Sequence, residues 1–80
     1  MEIEIDARSR EPIYEQLVRQ IREQTENSKL KADEELPSVR ELADRLGISR
    51  LTTGKVYEEL CREGLLRRQG GHYTVCGRDK

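Results

Sequence analysis

The sequence predicts a mainly α-helical domain closed by a small β-hairpin, an α+β arrangement of three helices and two strands. Three observations predict it. Apolar residues recur at helical spacing in Ile13-Tyr14-Leu17-Val18-Ile21 and again in Val39-Leu42-Ala43-Leu46. Ser38 stands three residues before Glu41, and Gly47 is followed two residues later by Ser49, so one helix ends and another starts within a tight turn. Gly70-Gly71 separates two short runs rich in strand formers.

Each element follows in order. Ile3-Glu4-Ile5 alternates, which fits a short strand or an extended arm over residues 1–11. Pro12 suits the first position of a helix, where its missing N–H does no harm, and the first helix runs from Pro12 to about Glu26. Asn27-Ser28 ends it, and Lys29 to Glu35 reads as a connecting loop. In the second helix the Ser38 side chain accepts from a first-turn N–H while Glu41 reaches back. Ser49 caps the third helix, about 49–62, whose inward face is Thr53, Val56, Tyr57 and Leu60. Glu63-Gly64 closes it; Leu65–Gln69 and His72–Cys76 form the two arms of the hairpin, and 77–80 is a frayed tail. Tyr14 and Tyr57 read as core aromatics with a polar tip.

Composition bounds the function. Eighty residues make one domain, and apolar residues are 34% of them against 39% charged, so the core is thin and compact. No run approaches the roughly 20 apolar residues of a membrane span, and Met1-Glu2-Ile3-Glu4 is no signal peptide, which points to the cytoplasm. Cys61 and Cys76 read as reduced thiols. With His72 they lack a fourth ligand and the paired spacing of structural zinc sites, so no metal or other cofactor is expected. No nucleophile–base spacing or phosphate-cradling glycine loop appears, so an enzyme is not expected either.

The net charge of −1 hides an asymmetry. Residues 1–37 carry 6 basic and 10 acidic side chains, a balance of −4, whereas residues 38–80 carry 9 and 6, a balance of +3. Helix, helix, tight turn, helix and basic hairpin is the layout of a winged helix-turn-helix, here spanning 12–76. Such a unit presents the start of its last helix to the DNA major groove. Those residues are Ser49, Arg50, Leu51 and Thr52. Arg50 has the fork for guanine or phosphate, Ser49 and Thr52 have hydroxyls for phosphate oxygens, and Leu51 is either a thymine-methyl contact or a single exposed leucine. Arg40 and Lys55 add cations from the two helices, while Arg67, Arg68 and Gln69 lie along the hairpin, expected on adjacent backbone or minor groove. Arg45 and Arg62 read as solvated or ion-paired surface. The alternative function is a winged helix used for protein interaction or dimerisation, favoured by the near-zero charge, Leu51 and Gly54. DNA binding would require Arg40, Arg50, Lys55, Arg67 and Arg68 on one face.

Leu36-Pro37-Ser38-Val39-Arg40-Glu41-Leu42-Ala43, Leu46-Gly47-Ile48-Ser49-Arg50, Val56-Tyr57-Glu58-Glu59-Leu60 and Glu63-Gly64-Leu65-Leu66 closely resemble the GntR family of bacterial regulators. Pro12-Ile13-Tyr14-Glu15-Gln16-Leu17 resembles that family's first-helix opening, and the ordered match covers about Ile3 to Val75. The start is most similar to subgroups with a short C-terminal helical tail or an aminotransferase-like domain. The resemblance implies a repressor that is a homodimer in its full-length context, binding a pseudo-palindromic operator, with an effector domain that this chain lacks. It assigns DNA contacts to Arg40, Ser49, Arg50, Thr52 and the wing glycine Gly71.

The sequence also departs from the family pattern. Leu51 stands where a polar residue is usual, Gly54 where a basic or polar one is common, and Thr53 where the core has Val. The wing Gly71-His72-Tyr73-Thr74-Val75 is one residue short of the common Gly-x-Gly-Thr-Phe-Val. A glycine inside a helix costs about 0.5–1 kcal/mol relative to Ala, so Gly54 is either tolerated drift or a place where the backbone approaches DNA.

Overall fold

A computed structural model describes residues 2–76; the tail expected at 77–80 lies outside the described residues. Three helices, α1 (Ile13–Glu26), α2 (Val39–Leu46) and α3 (Arg50–Arg62), precede a hairpin of β2 (Leu66–Gln69) and β3 (His72–Val75). A two-residue strand, β1 (Glu35–Leu36), lies between α1 and α2. Among the described residues no helix is long and apolar enough to cross a membrane.

The helix boundaries have local causes. The Ser38 hydroxyl accepts from the Glu41 N–H at 3.0 Å, and the Glu41 carboxylate accepts from the Ser38 N–H at 3.0 Å, the reciprocal capping box that starts α2. Gly47 ends α2 at φ 68°, a left-handed conformation that costs a side-chain-bearing residue about 1–2 kcal/mol. The Ile48 N–H then donates back to the Ala43 carbonyl at 3.0 Å, satisfying one of the helix's last acceptors. Ser49 caps α3 by accepting from the Thr52 N–H at 3.1 Å. Pro12 is the residue before α1 rather than its first member, with extended ψ of 151°.

The expected two-stranded hairpin is part of a three-stranded antiparallel sheet, in the order β1-β3-β2. β1 begins at Glu35, the last residue of the expected loop, and continues into Leu36. It pairs Glu35 with Thr74 and Leu36 with Tyr73, and hydrogen bonds from Asp33 to Val75 and from Val75 to Glu34 continue the pairing. Two residues with one inward leucine give no alternation to detect; the pairing is imposed by β3. In the hairpin Leu66 faces Val75 and Gln69 faces His72, leaving Gly70-Gly71 as the turn, with φ of 61° at Gly70.

The core is one cluster. Leu17, Val18 and Ile21 of α1 meet Leu42 of α2, Val56, Tyr57 and Leu60 of α3, and Leu36, Leu66, Tyr73 and Val75 of the sheet. Thr53 is wholly buried where an apolar side chain is usual, and its hydroxyl donates to the Ser49 carbonyl at 3.0 Å. The polar atom is therefore satisfied within α3 itself. The Arg22 guanidinium meets Glu63 through two bonds of 3.0 and 2.6 Å, tying α1 to the end of α3. The same contact holds the Glu63 carboxyl below the usual carboxylate range.

Residues Glu2 to Asp6 run as an extended arm along α1, held by side chains instead of a partner strand. Gln24, Gln20 and Gln16 each accept from a backbone N–H and donate to the carbonyl of the same arm residue: Glu2, Glu4 and Asp6 respectively. The geometry matches by arithmetic. Residues four apart on a helix advance about 6 Å, and residues two apart on an extended chain about 6.6 Å. Ile3 and Ile5, the alternate residues, pack half-buried against the core.

Gln16 is the anchor of this ladder. It is 3% exposed and also donates to the Glu11 carbonyl at 2.7 Å. Replacing it by leucine keeps the bulk but strands a backbone N–H and two carbonyls. We expect Gln16→Leu to lose about 1–3 kcal/mol of stability, the cost of three part-buried hydrogen bonds removed without replacement. Thermal unfolding followed by circular dichroism checks this; an unchanged melting temperature would show that the arm contributes nothing to the fold.

Candidate nucleic-acid interface

The residues singled out in the sequence fall on three parts of the fold. Arg40 lies in the first turn of α2 and is exposed. Arg50, Leu51 and Thr52 form the first turn of α3, directly after its Ser49 cap. Gln69 and Gly71 belong to the hairpin tip and are exposed, with Arg67 and Arg68 on the strand leading to it.

The cap constrains what Ser49 can do. Its oxygen accepts from the Thr52 N–H, so that N–H is no longer free for an anion. The hydroxyl proton remains available to donate outward. Arg50 is well exposed at 60%, with only a loose approach of 3.9 Å to Asp44 on α2. Its guanidinium can therefore swing out at little cost, since a contact of this kind is worth about 0–1 kcal/mol.

On α3 the buried positions Thr53, Val56, Tyr57 and Leu60 define one side. Helical spacing puts Leu51, Gly54, Lys55 and Glu58 on the other. Leu51 is 71% exposed, a large apolar side chain standing in water. Lys55 sits toward the flank shared with α1, bordering a shallow groove with Tyr14, Glu58, Glu59 and Arg62. Arg62 pairs with Glu59 along the helix, as its spacing implied. Tyr14 is half-buried, whereas Tyr57 is fully buried and donates its hydroxyl proton to the Pro37 carbonyl.

The hairpin divides its two arginines. The register sets Arg67 against Thr74 and Arg68 against Tyr73, so successive side chains point to opposite faces of the sheet. Arg67 reaches Asp33 at 3.3 Å on the outer face, where His72 Nδ1 also lies 2.8 Å from Glu35. Arg68 lies on the face toward α3, and its charge works against the burial that pushes the Cys61 thiol up. The five cations thus do not form one continuous patch. Asp44 is a carboxylate that the sequence offers to Arg40, and in the structure it lies near Arg50 instead; Asp33 and Glu35 have no such sequence signal, since Asp33 lies 34 residues from Arg67 and only the three-stranded pairing brings it near.

Three helices, a tight capped turn between the second and third, and a β-hairpin laid beside the third define a winged helix-turn-helix, a class of DNA-binding domain. Residues 13–75 match the family described as bacterial regulatory proteins, gntR family. The chain is 43% identical over 72 residues, 90% of its length, to the HTH-type transcriptional repressor YtrA of Bacillus subtilis. It covers 55% of that relative, and 31% of a second curated repressor that it matches. The structure of YtrA from Sulfolobus acidocaldarius, a GntR-family transcription factor, superposes with a TM-score of 0.89 at 42% identity, covering 96% of this chain and 82% of that one. The DNA-binding domain of AraR in complex with operator ORX1 superposes with a TM-score of 0.75 at 26% identity, covering 94% and 96%. The chain belongs to the gntR family of bacterial regulatory proteins, and its three helices and hairpin are the DNA-binding domain of that family.

Proposed function

We propose that this domain reads a double-stranded operator as part of a transcriptional repressor, with the first turn of α3 in the major groove and the hairpin on neighbouring backbone or minor groove. The carrying observation is the exposed first turn of α3. Arg50 and Leu51 project from a capped helix start, and Arg40 is exposed in the first turn of α2. A helix N-terminus also favours phosphate through its unpaired N–H groups and its dipole. Ser49 and Thr52 supply hydroxyls there, and Lys55, Arg67, Arg68, Gln69 and Gly71 are proposed as further contacts; because Arg67 and Arg68 leave the hairpin on opposite faces, the reading rests on the helix starts and not on all five cations sharing one face.

The reading takes 12–76 as the domain unit, and pairing of two copies across a pseudo-palindrome would add avidity to a weak single half-site. Its role is regulatory rather than enzymatic, and its place is the cytoplasm with the DNA. An exposed leucine and a net charge of −1 favour one other reading, a winged helix that docks on protein.

A salt titration on random duplex separates the two. Neutralising Z phosphates gives a slope of about −0.9Z in log K against log[salt], so three or four contacts mean about a 40- to 150-fold loss from 50 to 200 mM. Binding that is absent, or flat with salt, would rule out the DNA reading.

A further inference from the structure

We infer that Leu51 and Gly54 form an apolar socket that selects the 5-methyl group of thymine, making Leu51 a specificity-determining residue; this rests on the DNA-binding reading above. Leu51 is 71% exposed, whereas the other large apolar side chains among the described residues are buried or half-buried. It stands on the side of α3 opposite the core positions, in the turn that begins the helix. Gly54 is one turn further along the same side, and nothing lies within 4 Å of where its Cβ would stand. The helix surface there is a leucine side chain next to bare backbone, between the charges of Arg50 and Lys55.

The chemistry of the groove narrows what such a surface can recognise. Major-groove edges show acceptors at guanine, adenine and thymine, donors at adenine and cytosine, and one apolar group, the thymine methyl beside O4. Leucine offers no donor or acceptor, so against a G·C pair it would cover polar edges without replacing their water. Against thymine it covers a methyl with methyls, and both surfaces leave water. The absent Cβ at Gly54 leaves the space in which that methyl sits. Leu51 therefore discriminates by the group it cannot satisfy as much as by the one it covers.

The test uses a duplex selected from a random pool by the full chain, with each thymine replaced singly by uracil, which removes only the methyl. One or two replacements should weaken wild-type binding about 3- to 10-fold, the scale of one buried methyl. The same replacements should change the affinity of Leu51→Ala less than twofold. At the sensitive position a 5-methylcytosine·guanine pair should bind tighter than cytosine·guanine by a similar factor. Gly54→Ala should keep or raise the melting temperature, because the added methyl meets nothing in the free domain, while binding of the thymine duplex falls. Indifference of the wild type to every uracil, or an undiminished effect in Leu51→Ala, would overturn the assignment even with salt-dependent DNA binding intact. Absence of DNA binding altogether would instead remove the reading on which it rests.

Discussion

Tyr57→Ala is expected to remove about 3–5 kcal/mol of folding stability, the range for deleting a large buried aromatic. The residue holds three parts of the fold together. Its side chain is wholly buried in α3, its ring lies 4.6 Å from that of Tyr73 in β3 at a tilt of 57°, and its hydroxyl donates to the Pro37 carbonyl at 2.7 Å. Pro37 immediately precedes the Ser38 cap, so the phenol fixes where α2 begins relative to α3. Burial pushes the phenol above its ordinary pKa, and it remains a proton donor throughout the neutral range. A domain of 80 residues holds roughly 4–12 kcal/mol in total, so the alanine variant should be largely or partly unfolded at 37 °C. Tyr57→Phe isolates the hydrogen bond and should cost only about 1 kcal/mol. Urea denaturation of both variants checks the ratio. Equal losses would assign the stabilisation to the hydroxyl rather than to the ring.

The parts of the fold that were legible in the sequence are those written within a few residues. Ser38 and Glu41 announce the start of α2, Gly47 its end, and Thr53, Val56, Tyr57 and Leu60 the inner side of α3, because helical geometry brings residues three and four apart together. What stayed hidden depends on distant partners. β1 is two residues long and exists because Thr74 and Tyr73 pair with it. The alternation of Ile3-Glu4-Ile5 does not choose between a strand and an extended arm, although Gln16, Gln20 and Gln24 carry a readable signal: three amides on one helix face, spaced to match an extended chain.

The candidate site divides along the same line. Arg40, Ser49, Arg50 and Thr52 could be located from the two helix caps alone. The hairpin cations could be placed on a strand but not oriented, since the face of Arg67 depends on register with β3. Its partner Asp33 comes from the acidic half of the sequence, so counting charges by halves overstated the free positive charge of the hairpin. Arg67 is therefore more constrained than Arg50, whose nearest carboxylate among the described residues, Asp44, is 3.9 Å away.

Arg50 is the side chain whose removal should most affect DNA recognition. Arg50→Ala is expected to weaken operator binding by about 1–3 kcal/mol, roughly 5- to 150-fold, with little change in melting temperature because the side chain is exposed. The pattern of loss assigns the contact. If Arg50 grips a guanine edge with both guanidinium nitrogens, one base pair of the site becomes permissive while random DNA is hardly affected. Lysine should then fail to restore the preference, because an ammonium lacks the planar fork. If Arg50 grips phosphate, specific and random duplex lose affinity alike, and the salt slope becomes shallower by about one unit. Asp44→Asn provides the complementary measurement. It removes the carboxylate nearest Arg50 and should tighten binding to every duplex, most visibly at low salt where surface charges are least screened. An Arg50→Ala variant that binds operator as tightly as wild type would move the reading head away from the start of α3.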